Sequence, residues 1–288
     1  MREFEFLEPA SVAEASRILA EVGDDCRLMA GGTALLLAMR QRMATPTHVV
    51  SLAKIDRLRG IEFDAAKGLR IGALAKHSDV ERSALVQQHY PMLASMASRV
   101  ANPQVRNQGT IGGNLCYADP ATDPPGCLMS LGAQVVLGSA RGERVLSIEE
   151  FLVDYYTTAL EPDELLLEIL VPVQAADSEG LYTRFHRTAA EHRPLVNLSL
   201  MARRSGPDCH LARLVVGAST TIPTRVPRAE AFLAGKTITL EVAAEAADMV
   251  ATDIETLSDQ RGSADFRRDM VRVVTRRSIA SLFGLPAN

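Results

Sequence analysis

Two glycine-rich segments hold the residues of this sequence best suited to bind a ligand. The first is LMAGGTALLL, from Leu28 to Leu37, and the second is RNQGTIGGNLCYADPATDPP, from Arg106 to Pro125. Glycine lets another group approach the backbone closely and adopts positive φ angles readily. Where such a turn leads into a helix, the unpaired backbone N–H groups favour an anion. Each segment is therefore either a phosphate-binding loop or only a tight turn.

Neither segment fits a standard nucleotide-binding pattern. Neither contains GxGxxG or GxxxxGK[ST], and the first has no lysine, so it offers an anion only backbone N–H groups and the Thr33 hydroxyl. The second segment adds N–H donors, a hydroxyl and an amide, at Thr110, Gly112, Gly113 and Asn114. Two loops from different subdomains could converge on one pyrophosphate that neither would hold alone.

Two acids lie near the end of the second glycine segment, among prolines. Asp123 could accept hydrogen bonds from ribose hydroxyls or from a ring N–H. An aspartate beside a proline also commonly forms a turn, and this applies to both Asp119 and Asp123. The residues themselves leave the two interpretations open.

The other reactive side chains form no catalytic set. The four cysteines include no CxxC pair, so we expect reduced and mostly buried thiols and no metal site on this chain; they are Cys26, Cys116, Cys127 and Cys209. We interpret the histidines, including His77, as structural or solvated. Because no nucleophile–base arrangement is evident, we expect no catalytic residue here, and any redox chemistry needs an organic cofactor.

Composition limits the classes of function. The chain has 288 residues, enough for two domains or for one with subdomains, and 47% of them are apolar. The net charge of −4 argues against nucleic-acid binding, which needs a basic face. No apolar run approaches the roughly 20 residues that span a bilayer, and the acidic N-terminus lacks the pattern of a secretory signal. We therefore expect a cytoplasmic chain without a transmembrane segment.

The first glycine loop lies in a predicted β-turn-α-β unit. Ser11 caps a helix that ends at Gly23, and CRLM, TALLLAMRQRM and HVVSL are typical of a strand, a helix and a second strand. From about residue 55, strands such as GLRIGAL and ELLLEILVP alternate with short helices, and the second loop lies among them.

A third unit follows a predicted linker at 174–180. Three segments alternate apolar and polar residues, as antiparallel strands do when one face is covered. Three helical segments come after them. The pattern predicts an α+β protein with subdomains at 1–54, 55–176 and 177–288.

The order of the motifs resembles the FAD-binding medium subunit of molybdenum hydroxylases. AGGT near residue 32 is followed by TIGGN near 112, and Asp123 comes nine residues after Asn114. That family includes the medium subunit of aerobic carbon monoxide dehydrogenases and the flavin domain of xanthine dehydrogenases. The similarity covers nearly the whole chain, since YTRFHR, PTRVPRAEAFLAGK and FRRDMVRVVTRR resemble the family's C-terminal domain.

The resemblance implies a two-subdomain FAD-binding fold of the vanillyl-alcohol-oxidase (PCMH-like) type, followed by an antiparallel sheet with a helical layer. It also implies residue roles. The diphosphate would be wrapped by two runs of residues: Met29, Ala30, Gly31, Gly32, Thr33, Ala34, Leu35 and Leu36, and then Thr110, Ile111, Gly112, Gly113 and Asn114. Around the rest of FAD would lie Val100, Leu165 and Leu166 by packing, Asp123 on the ribityl or adenosine side, and Arg184 near the isoalloxazine.

The chain departs from the family pattern at two positions. Arg184 stands where relatives often have lysine, and Thr188 stands where arginine is common. Arginine keeps a positive charge that would stabilise a reduced flavin, but its planar fork differs from a point charge. The cysteine-rich insertion that holds a [4Fe–4S] cluster in some relatives does not occur.

By resemblance, the chain is the FAD-carrying electron-transfer subunit of a heterotrimer, which is expected to dimerise. A large molybdopterin subunit would hydroxylate the substrate, and two [2Fe–2S] clusters on a small subunit would pass electrons to FAD and on to an external acceptor. Two alternatives stay open: a stand-alone flavin oxidase or reductase, and a non-catalytic nucleotide-binding assembly module. We also expect valine at both Gly112 and Gly113 to abolish FAD retention while leaving the fold largely intact.

Overall fold

The chain begins with a small parallel sheet, in a computed structural model that describes residues 2–188 and 191–286. Its elements are β1 (Glu5–Leu7), α1 (Val12–Val22), β2 (Cys26–Met29), α2 (Leu35–Arg40) and β3 (His48–Ser51), with strand order β1-β3-β2. The Ser11 hydroxyl accepts the Glu14 N–H at 3.2 Å, and Gly23 ends α1 at φ +67°. The predicted β-turn-α-β unit is present, and its turn joins β2 to α2.

A five-stranded antiparallel sheet with a layer of short helices follows. In chain order its elements are β4 (Ile61–Asp64), β5 (Gly68–Gly72), α3 (His77–Arg82), α4 (Ala84–His89), α5 (Pro91–Arg99), α6 (Pro103–Arg106), α7 (Ile111–Tyr117), α8 (Pro124–Ser130), β6 (Gln134–Ser139), β7 (Gly142–Ser147), α9 (Ile148–Phe151), β8 (Leu152–Asp154), β9 (Thr157–Thr158) and β10 (Leu165–Val171). The strand order is β4-β5-β10-β6-β7, and β8 pairs with β9 alone.

The second glycine segment is a helix start and not an open loop. Thr110 is extended and caps α7, because its hydroxyl accepts the Gly113 N–H at 3.1 Å. Ala118 ends this helix in the left-handed conformation. The extended backbone of Ser83 separates α3 from α4.

The C-terminal part is an antiparallel sheet covered by helices, as predicted. Its elements are β11 (Ser178–Phe185), β12 (Val196–Ser205), β13 (Asp208–Gly217), β14 (Thr224–Arg225), α10 (Pro227–Leu233), β15 (Lys236–Thr237), α11 (Leu240–Asp253) and α12 (Ala264–Leu282). The order is β11-β12-β13-β14, with β15 also on β13. Because β11 begins at Ser178, part of the predicted linker is strand.

Apolar residues join the three parts. Both faces of β10 are covered by apolar residues. Leu165 belongs to the core shared with the first sheet, and Leu166 belongs to the core under α5 and α8. Helix α8 lies against β12 and β13. Each predicted subdomain range contains one of the three larger sheets, and the proposed boundaries stay predictions. Along the two described ranges, no helix is long and apolar enough to cross a membrane.

Candidate functional site

A cleft of about 900 Å³ lies between the turn after β2 and the helical layer of the second sheet. Most of the residues that the resemblance implies line this cleft. They are Met29, Ala30, Gly31, Gly32, Thr33, Ala34, Leu35, Val100, Thr110, Gly112, Gly113, Asn114, Asp123, Leu165 and Leu166. Three others do not line it: Ile111 is buried in the core, Leu36 is 39% exposed, and Arg184 lies behind Asp123.

The turn from Gly31 to Leu35 presents a row of free backbone donors. Within the described ranges, none of its five amide groups donates a hydrogen bond to a backbone or side-chain acceptor. Gly32 has φ +72°, a conformation that favours glycine. Five unpaired N–H groups along one wall of a cleft favour an anion.

The second glycine segment contributes shape more than donors. The amides of Ile111 and Gly112 donate to the carbonyl oxygens of Ala75 and Ala73, at 2.9 and 3.0 Å. The Gly113 and Asn114 amides are paired with Thr110. The expected second set of N–H donors is therefore already used within the fold, because α7 starts against the segment that follows β5.

The two glycines of that segment have different neighbours. A Cβ on Gly112 would lie 2.6 Å from Ala73 Cβ and 2.7 Å from its carbonyl oxygen. A Cβ on Gly113 would meet only the Thr110 hydroxyl, at 2.8 Å, and Ala30 Cβ, at 3.6 Å across the cleft. The expectation that valine at both positions leaves the fold intact is therefore wrong for Gly112, which packs against backbone.

Asp123 is a buried carboxylate on the cleft wall. The Tyr182 hydroxyl donates to its Oδ1, and Arg184 Nε lies 3.2 Å from the same atom without hydrogen-bond geometry. Burial raises the pKa of Asp123 to about 6, although the Arg184 charge and the Tyr182 hydrogen bond act in the opposite direction. Arg184 also donates to the carbonyls of Arg99 and His192. Its guanidinium does not line the cleft, and it acts on the cleft by its charge beside Asp123.

Several lining residues could not be assigned from the sequence. Asp119 is buried and ion-paired with Arg193, whose guanidinium lies 3.5 Å from the Tyr156 hydroxyl. Tyr117 packs edge-on against Tyr156 at a centroid distance of 5.3 Å. Asp119 Oδ1 also accepts an N–H within its own turn, so the turn-forming interpretation and the ion pair both apply. No local signal connects these residues, since Arg193 lies 74 positions after Asp119.

His77 also lines the cleft, although its sequence context indicated a structural role. Only 3% of its surface is exposed, and its Nδ1 is buried without a hydrogen-bond partner in the described ranges. Burial, reinforced by the Arg106 charge, lowers the pKa of His77 to about 4. The imidazole is therefore neutral at physiological pH.

Known families match both parts of the chain. Residues 2–174 match the family described as the FAD binding domain in molybdopterin dehydrogenase, and residues 181–282 match the CO dehydrogenase flavoprotein C-terminal domain. The chain is 33% identical to the carbon monoxide dehydrogenase medium chain of Hydrogenophaga pseudoflava, over 96% of each chain. It is 32% identical to subunit alpha of the 6-hydroxypseudooxynicotine dehydrogenase complex of Paenarthrobacter nicotinovorans, over 96% of this chain and 93% of that one.

Solved structures agree with this similarity. A chain of carbon monoxide dehydrogenase from H. pseudoflava superposes with a TM-score of 0.94 at 34% identity, covering 98% of both chains. A chain of quinoline 2-oxidoreductase from Pseudomonas putida 86 gives a TM-score of 0.92 at 31% identity, again over 98% of both. This protein therefore belongs to the FAD-binding medium subunits of molybdenum hydroxylases, the carbon monoxide dehydrogenase and xanthine dehydrogenase family.

Proposed function

We propose that this chain holds FAD noncovalently in the cleft, with the diphosphate on the amides from Gly31 to Leu35. The observation that carries the proposal is that row of amides without acceptors, beside the Thr33 hydroxyl. Uncharged N–H groups hold a diphosphate when several converge on it, so the absence of a lysine from this turn is no obstacle.

The rest of the cleft fits the other parts of FAD. Gly113 faces Ala30 from the opposite wall, and a side chain there would enter the space between them. Leu165 and Leu166 provide an apolar surface for a ring system. Asp123, charged at neutral pH, can accept hydrogen bonds from sugar or ribityl hydroxyls.

We further propose that the chain works within a heterotrimer. Bound FAD would supply the ability to take up and release electrons. Two relatives are a medium chain of carbon monoxide dehydrogenase and subunit alpha of the 6-hydroxypseudooxynicotine dehydrogenase complex, so each is one subunit of a larger enzyme. By extension, a large subunit with molybdopterin and a small subunit with two [2Fe–2S] clusters would be the partners here. Electrons from those clusters would leave through this chain to an external acceptor.

A rapid-mixing experiment tests this role. The small subunit is reduced, freed of reductant and mixed without oxygen with the FAD-loaded chain, and flavin and cluster absorbance are followed together. We expect the flavin band to bleach as the clusters are reoxidised. Transfer that fails in the assembled heterotrimer, or flavin reduction by a small organic substrate without any partner, would contradict the proposal and favour a stand-alone oxidase.

A further inference from the structure

One buried polar group in the cleft has no explanation within the fold. His77 is the first residue of α3, and its ring is almost fully buried, yet its Nδ1 has no hydrogen-bond partner in the described ranges. An unpaired polar atom away from water is destabilising, and native folds rarely keep one without a reason. An apolar side chain of similar size would fill the same space at lower cost.

The position of the ring points to that reason. The His77 backbone N–H donates to the Gly109 carbonyl at 3.2 Å, which fixes the start of α3 beside the second glycine segment. A Cβ on Gly109 would lie 3.4 Å from the Thr33 hydroxyl and 3.5 Å from His77 Cδ2. The imidazole and the Thr33 hydroxyl therefore flank the same glycine, next to the unpaired amides.

Burial lowers the pKa of His77 and keeps the ring neutral, and a neighbouring positive charge reinforces this. Arg106 is the cation that acts on His77, and it is itself paired with Glu81 at 3.2 Å. On the ring's own helix, the Asp79 carboxylate accepts the Lys76 N–H. His77 is thus no cationic phosphate ligand, and any hydrogen bond that it makes is that of a neutral imidazole.

The buried Nδ1 of His77 determines the preferred tautomer. A neutral imidazole has one N–H donor and one acceptor nitrogen. A hydrogen on Nδ1 would leave a buried donor unpaired, whereas a hydrogen on Nε2 leaves only a lone pair unpaired at Nδ1. The ring lines the cleft and Nε2, unlike Nδ1, is not among the buried unpaired atoms, so the Nε2 tautomer leaves its donor free for a ligand.

We propose that His77 donates a hydrogen bond from Nε2 to the cofactor's diphosphate and is thus a further binding residue of this site. The inference rests on the proposed FAD function and extends it to a residue that neither glycine segment contains. The site would then combine the backbone amides and the Thr33 hydroxyl of the first loop with a neutral imidazole donor from α3.

Binding measurements on the full-length chain test the proposal. FAD and ADP are titrated calorimetrically into the FAD-free wild type and the variants His77→Leu, His77→Gln and His210→Leu, the last an exposed control on β13. We expect His77→Leu to raise both Kd values about tenfold and by the same factor, because the two ligands share the diphosphate. His77→Gln keeps an N–H donor, so its affinity for both ligands should fall less. The control should bind both ligands as the wild type does.

Thermal unfolding of the FAD-free variants separates binding from a structural role. His77→Leu should be at least as stable as the wild type, because it removes an unpaired buried atom. Three results would each overturn the inference. They are unchanged Kd values in His77→Leu, a lower affinity for FAD without a lower affinity for ADP, and a fall in stability that accounts for the weaker binding. A wild-type chain that binds no FAD would instead defeat the proposed function.

Discussion

Replacing Gly31 by alanine tests the junction between the two glycine segments. A Cβ at this position would overlap the Gln108 carbonyl oxygen and lie 2.9 Å from Gly109 Cα, whereas ordinary contacts begin at 3.4 Å. Both neighbours are backbone atoms, so the segments must move apart. The Gln108 side chain, which donates to the Gly31 carbonyl at 3.1 Å, would move with them.

The expected effect on FAD binding is about as large as the effect on folding. Overpacking of this kind typically costs about 1–3 kcal/mol of folding free energy. A shift of the first loop would also displace its amides from the diphosphate, and each hydrogen bond to a charged group contributes about 1.5–3 kcal/mol. Loss of one such bond raises the Kd for FAD by roughly ten- to a hundredfold.

The assay is FAD titration combined with urea unfolding of the FAD-free chain. Gly68→Ala is the matched control, because a Cβ there would overlap the Val171 carbonyl oxygen and lie 2.9 Å from Pro172 C, outside the cleft. Gly68 also has φ +96°, so its variant should lose at least as much stability. We expect Gly68→Ala to bind FAD normally. Wild-type affinity in Gly31→Ala, or equal losses of affinity in both variants, would refute the reasoning.

Three further predictions concern single residues. The folded-state pKa of His77 is about 4 against 6.5 for the free side chain, so the wild type loses stability as pH falls through that window. In urea unfolding, the free energy of unfolding of His77→Leu should therefore rise by about 2 kcal/mol relative to the wild type between pH 7.5 and pH 5. An unchanged difference between the two proteins would contradict the neutral imidazole. Gly112→Ala should unfold at a lower urea concentration than the wild type because its Cβ would overlap Ala73. Gly113→Ala should stay folded and bind FAD more weakly. A Gly113→Ala variant less stable than Gly112→Ala would contradict this packing. Arg267→Met should lower the free energy of unfolding by about 1–3 kcal/mol, because this fully buried guanidinium donates to two carbonyls that would lose a donor; a loss below about 0.5 kcal/mol in urea unfolding would show that these bonds matter little.

Comparing His77→Leu with the wild type isolates the titration of His77 from that of Asp123. Asp123, with its pKa raised to about 6, has the opposite sign, since its folded form takes up a proton more readily and its contribution is lost as pH rises through 6. The two effects overlap between about pH 4 and 6 in the wild type. The difference between His77→Leu and the wild type removes the Asp123 contribution, because both proteins keep it.

Local signals predicted the elements that local contacts determine. Helix α1 follows from the cap at Ser11 and the stop at Gly23, both visible within a few residues. The C-terminal sheet follows from alternation of apolar and polar residues along β11, β12 and β13. The order of the two glycine segments and Asp123 was enough to identify the family, and most of the implied residues do line one cleft. Their individual contacts with FAD stay predictions.

Distant contacts account for what the sequence could not show. The TIGGN amides looked available, but the acceptors of Ile111 and Gly112 lie just after β5, nearly forty residues earlier in the chain. The ion pair of Asp119 with Arg193 has no sequence signature, and it forms only once the C-terminal sheet is in place. His77 has the local context of an ordinary helix start, so its position in the cleft becomes visible only when β2, α3 and the second glycine segment are assembled.

The most direct test of the central claim is the flavin content of the full chain purified together with its partner subunits. Acid precipitation releases any noncovalent flavin, which is then quantified and identified chromatographically. We predict about one FAD per chain for the wild type, and a flavin content reduced in Gly113→Ala, which is expected to stay folded. A wild-type chain that contains no FAD and binds none when it is added would contradict the account.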